Sequence, residues 1–139
     1  MILFLLTINT LIFTALSALH IYWAAGGKRG MENAVPQRAD GAKAMQPGKA
    51  ATFGVAVVLL CFAWAHLSWL VPDLSGLRFP RYVFYLIGAL FFLRVMGDFR
   101  YVGLFKTIRN NGFTRHDDRL YIPLCAYLSL AAAGCGWLA

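Results

Sequence analysis

The chain has 139 residues, 60% of them hydrophobic and 14% charged, with a mean hydropathy of +0.61. An ordinary soluble domain is roughly a quarter charged and about half apolar, so this composition excludes that class and points to a membrane protein. The 13 basic residues outnumber the 6 acidic ones. They lie mostly between apolar segments, where they orient a chain in a bilayer, and so do not argue for nucleic acid as a partner.

A bilayer-crossing helix needs about 20 mostly apolar residues. Four segments satisfy this, at 2–25, 51–71, 82–104 and 120–139. They predict one domain over 1–139: an all-α, integral membrane four-helix bundle, antiparallel and up-down-up-down, with short loops. The first segment lacks a basic leading region and outruns a signal core, so it reads as a retained helix. Thr10, Thr14, Ser17 and His20 recur at helical spacing along it and form one polar stripe, with Asn9 beside them.

The connection 26–50 carries Lys28, Arg29, Arg38, Lys43 and Lys49 among many Gly, Ala and Pro residues. Its "GGKRG" is not a P-loop, because the six-residue spacing and the Ser/Thr are missing. The second segment holds Cys61 and His66, and with Cys125 and Cys135 the cysteine count is odd and widely spaced. That argues against a disulfide framework or a zinc site, and no metal is expected. His66 lies 15 residues from the inner end of its helix, roughly 22 Å, against about 7 Å for His20. The two histidines therefore suit no shared haem, and His66 reads as a packing or interfacial residue.

The link 72–81 is a tight turn with only Arg78 and Arg81, whereas 100–119 contributes Arg100, Lys106, Arg109, Arg115 and Arg119. The two richer connections are expected in the cytoplasm and both termini outside. Trp64, Trp69, Tyr82 and Tyr85 would then join an outer aromatic belt, and Tyr22, Trp23, Tyr101 and Tyr121 an inner one.

The third segment contains "FFLRVMGDFRYVGLFK", which sets Arg94, Asp98 and Arg100 in an apolar context. Ionisable groups within a bilayer are costly and are functional candidates by default. Arg94 and Asp98 are four apart, share a helical face and are expected to pair. The pair could be structural or could line a pocket. Arg100 points elsewhere and suits the interface. His20, Asp98, Tyr101, Asp117, Asp118 and Tyr121 all fall toward the same membrane face, which is the main argument for one shared site. His116, Asp117 and Asp118 could hold a metal with His20; a solvated loop with Asp117 or Asp118 as helix N-cap is the simpler account.

"LHIYWAAGG", "QPGKAATFGVAV", "RVMGDFRYVGLFK" and "FTRHDDRLYIPLC" together resemble a family of small bacterial four-helix inner-membrane proteins catalogued as a domain of unknown function. The resemblance covers nearly the whole chain and is most specific at 97–106 and 121–125. It implies four spans in a bacterial inner membrane and supplies no activity. His116–Asp117 departs from the pattern, which has an aromatic or apolar residue before a single aspartate; Asp117 is then the family-like acid and Asp118 the extra one.

Three functions compete. The leading expectation is binding or transport of an amphiphilic, anionic ligand, a membrane lipid among the candidates, in a polar pocket of the cytoplasmic half. Arg94, Arg100, Tyr101, Tyr22, Trp23, Asp117 and Tyr121 would bind it, and His20 and Asp98 would respond to protonation. The second is a membrane enzyme on a lipid or isoprenoid, with His20 and Asp98 as the acid–base pair. The third is a non-catalytic subunit of an oligomer or larger membrane complex. No cofactor is indicated by any motif.

Overall fold

Each apolar segment forms a helix, and glycine or proline follows the first three. The computed structural model describes the whole chain except Asn110 and the side chains of Leu74 and Ser75. Helix α1 runs Ile2–Ala24 and stops just before Gly26, whose φ of +104° suits only glycine. A short helix α2, Met31–Ala34, interrupts the first connection. Helix α3, Lys49–Leu70, begins after Pro47 and Gly48 and ends before Pro72 opens the single turn α4, Pro72–Ser75. Helix α5 is Tyr82–Met96. The last long helix starts as α6, Gly112–His116, loosens into a π turn at Asp117–Tyr121, and continues as α7, Ile122–Leu138. Among the described residues there is no strand beyond one isolated bridge between Gln37 and Lys43.

Three of these helices, α1, α3 and the continuous Gly112–Leu138, are long and apolar enough to cross a membrane. Helix α5 is shorter, at 15 residues, or about 22 Å. Two boundaries differ from the sequence reading. The third helix ends at Met96, not near 104, because Gly97 turns the backbone. The fourth begins at Gly112, not near 120, and its cap is neither Asp117 nor Asp118. Asn111 caps it instead, accepting from Thr114 N at 2.9 Å while the Thr114 hydroxyl accepts from Asn111 N at 3.3 Å.

Small and polar residues bring the helices together. Ser17 Oγ donates to the Ala56 carbonyl at 2.8 Å, and Asn9 Nδ2 donates to His66 Nε2 at 3.1 Å, joining α1 to α3. Ser129 Oγ donates to the Gly88 carbonyl at 2.8 Å, joining α5 to α7; a Cβ on Gly88 would lie only 3.0 Å from the Ser129 carbonyl, so glycine permits this approach. Between them lies a core of Phe13, Leu59, Ile87, Phe91 and Leu128. His66 is a packing residue: fully buried, edge-on to Phe84, with Nδ1–H donated to the Phe62 carbonyl at 2.8 Å. The stripe on α1 divides. Thr10 and Thr14 bond back to their own helix, and Ser17 faces α3.

Candidate functional site

The polar residues gather at the end of the molecule that carries the two basic connections. After Met96 the chain does not continue as helix but closes a small loop. Gly97 has φ +80° and ψ −169°, a conformation essentially restricted to glycine. A Cβ there would collide with the Val102 carbonyl, and one on Gly103 (φ +88°) would sit 2.6 Å from the Met96 oxygen. The two glycines therefore pack backbone to backbone, and Leu104 N donates to the Val95 carbonyl at 2.8 Å, sealing the loop.

Asp98 organises that loop. Its Oδ1 accepts from the backbone N–H of Arg100 at 3.0 Å, Tyr101 at 2.7 Å and Val102 at 3.0 Å. The expected pairing of Arg94 with Asp98 does not form: Gly97 ends the helix between them, so a four-residue spacing no longer places them on one face. Partial desolvation raises the Asp98 pKa, but the N–H bonds from Tyr101, Arg100 and Val102 outweigh it and hold the carboxyl below its ordinary value. A folded pKa below the unfolded one, about 3.9, means the bonds stabilise the loop fully above that value and are lost as pH falls through the folded one. Asp98→Ala is expected to lower the thermal midpoint at neutral pH and to lower it less below about pH 4. An equal loss at both ends of the range would contradict this.

Arg94 pairs with Asp117 instead. Its Nη2 donates to Asp117 Oδ1 at 2.9 Å. The other oxygen, Oδ2, accepts from Lys106 Nζ at 2.9 Å and from the Gly103 backbone N–H at 3.0 Å. Lys106 also reaches Asp118 Oδ1 and is fully buried, as is Asp117. One carboxylate thus ties together α5, the loop and the last helix. The π turn that presents it has a local cause. Pro123 has no N–H for the usual bond to Arg119, and Ile122 N bonds instead five residues back, to the Asp117 carbonyl. Lys106, read from sequence as a topology-setting loop charge, is an interior residue.

Beside this knot lies an apolar cleft of about 820 Å³, a size typical of ligand pockets. Helices α1, α3, α5 and α7 all line it, in the halves nearest the basic connections. Its polar groups are His20, Trp23, Arg94 and Tyr121, with Cys125 behind, and among the described residues no acidic one lines it. His20 donates Nδ1–H to the Leu16 carbonyl at 2.7 Å and stands edge-on to Trp23, 5.1 Å between ring centres. Among the described residues no hydrogen bond engages its Nε2. Trp23 is fixed by its own Nε1–H bond to the Arg29 carbonyl at 2.9 Å.

The other expected site residues lie elsewhere. Arg100 and Tyr101 border a separate surface recess of about 490 Å³ with Arg38, Asp40 and Ile108. Tyr22 is exposed, its ring against Gly27. Asp117 faces the knot, and Asp98 its own backbone. Of the proposed acid–base pair only His20 reaches the cleft. His116 bonds back to the Gly112 carbonyl at 3.0 Å.

Fold and site define a class: a small all-helical protein with helices apolar enough for a membrane and a polar knot at one end of an apolar cleft. The chain belongs to the family described as Protein of unknown function (DUF3995), whose model matches residues 13–132. Neither the curated proteins nor the solved structures gave a match. The membership indicated by the sequence motifs is thereby shown, and the family's description assigns no activity.

Proposed function

We propose that the protein is a multi-pass protein of the bacterial inner membrane that binds an anionic amphiphile in the cleft. In this reading the helices cross the bilayer as an up-down-up-down bundle, with both termini outward and the two basic connections in the cytoplasm. The short α5 is completed by the 97–109 loop at the inner interface. Membrane lipid, or a molecule derived from it, is then the natural source of ligand.

The observation that carries the reading is the state of Arg94. Its Nη2 is held by Asp117, while its Nη1 is buried with no hydrogen-bond partner among the described residues. The Arg94 side chain as a whole is 32% exposed and lines the cleft, so its accessible part supplies a positive charge there. It stands at the polar end of a cleft that contains no carboxylate of its own. A carboxylate or phosphate head group suits that charge, and the apolar walls take the tail. The enzyme reading loses support from the same geometry, because Asp98 does not accompany His20.

Gly54 offers a direct test. It lines the cleft, and nothing lies within 4 Å of a Cβ built on it. Gly54→Leu should therefore place added bulk at the cleft wall while favouring the helix. Native mass spectrometry of the extracted protein is expected to show a retained amphiphile on the wild type, and little or none on Gly54→Leu or Arg94→Gln. Equal retention in all three would reject the proposal.

A further inference from the structure

The cleft has a closed end as well as a polar one. Phe62 and Phe91 both line it and meet edge to face, with ring centres 6.3 Å apart. Phe13 stands behind them, 5.6 Å from each. This triad lies where α1, α3 and α5 converge, and Leu128 of α7 packs into the same core. Toward the basic end Arg94, His20, Trp23 and Tyr121 give the cleft its polar lining. Its height follows from the rise of the lining along each helix: Leu16 to Trp23 on α1 about 10 Å, Leu120 to Leu128 about 12 Å, and Ala51 to Phe62 on α3 about 16 Å.

Resting on the amphiphile reading, we infer that the cleft takes a single unbranched chain of on the order of ten carbons carrying one anionic head group. The head meets the exposed part of the Arg94 side chain at the polar end of the cleft, and the tail ends against Phe62 and Phe91. A fully extended hydrocarbon advances somewhat less than one C–C bond length, about 1.5 Å, per carbon, which sets that number against the measured height. A shorter chain leaves apolar wall uncovered. A longer one must bend out between Val58 and Leu90, where the side of the cleft is open; both residues are about half exposed. The acid-free lining selects the anionic head over a cationic one. Carboxylate and phosphate monoester share the required chemistry, and the experiment separates them.

The test is a competition read by native mass spectrometry. Delipidated protein is offered an equimolar series of saturated carboxylates from hexanoate to stearate, a matching series of alkyl phosphates, and decanol. Occupancy is expected to peak near decanoate or decyl phosphate, several-fold above hexanoate and stearate, with decanol weakly bound. Whichever head gives the higher peak identifies the source. Val58→Phe, which narrows the cleft below the triad, should move the maximum to shorter chains, and Phe62→Ala should move it to longer ones. Because the two variants shift it in opposite directions, loss of folding in one leaves the other decisive. Binding without a length maximum, a maximum that a folded variant leaves in place, or decanol bound as well as decanoate would overturn this inference while leaving an amphiphile site standing. No binding by any member of either series would overturn both.

Discussion

Asp117→Ala is expected to be the most damaging single substitution in the protein, costing about 3–5 kcal/mol because it strands a buried charge. The residue at risk is Lys106, whose ammonium is fully buried and meets Asp117 at 2.9 Å. Removal of the carboxylate also unpairs Arg94 Nη2 and the Gly103 N–H. Asp118 retains its contact with Lys106, but its side chain is 48% exposed and cannot replace Asp117 inside the knot. Lys106→Met should cost less, since Asp117 keeps Arg94 and the Gly103 N–H. The double variant should cost clearly less than the sum of the two singles, because the charges depend on each other. Thermal unfolding of the detergent-solubilised protein measures all three, and strict additivity would show that the knot does not act as a unit.

The second large effect belongs to the glycine pair. Gly97→Ala and Gly103→Ala should each destabilise by about 3 kcal/mol or more, through left-handed backbone strain together with direct collision. Gly103 reports on the knot as well, since its N–H binds Asp117. By contrast Gly54→Ala, in open space on α3, should be neutral or slightly stabilising. The same unfolding assay separates the three. A benign Gly97→Ala would mean that the third helix runs on past 97, as hydropathy alone suggests.

That contrast shows what could be read in advance. Long apolar runs specify helix whatever their neighbours do, so all four long helices were legible. Helical rise set His20, Asp98, Tyr101, Asp117, Asp118 and Tyr121 toward one face; of these only His20 and Tyr121 line the cleft, where Arg94 joins them. The end of α5 was not. Phe99, Leu104 and Phe105 prolong the apolar run, and they mask two glycines whose positive φ depends on tertiary contact. Asp98 was assigned the wrong partner for the same reason, since i, i+4 pairing presumes an unbroken helix. A stretch bounded by Gly97 and Gly103 with an aspartate right after the first glycine was the available sign of a loop. Pro123 was likewise the sign of the irregular turn that aims Asp117. Nothing local distinguishes Lys106 from the other loop cations; only the long-range approach of Asp117 and Asp118 makes it interior.

The proposed amphiphile site is the cleft beside Arg94, not the exposed apolar surface at large. Photo-crosslinking with a decanoate analogue carrying a diazirine on its tail, followed by peptide mapping, tests it most directly. Labels confined to cleft-lining positions such as Val58, Leu90 and Leu124, and abolished by Gly54→Leu, are the predicted result. Labels spread over exposed residues outside the cleft, such as Leu86 and Leu130, and indifferent to Gly54→Leu, would contradict it.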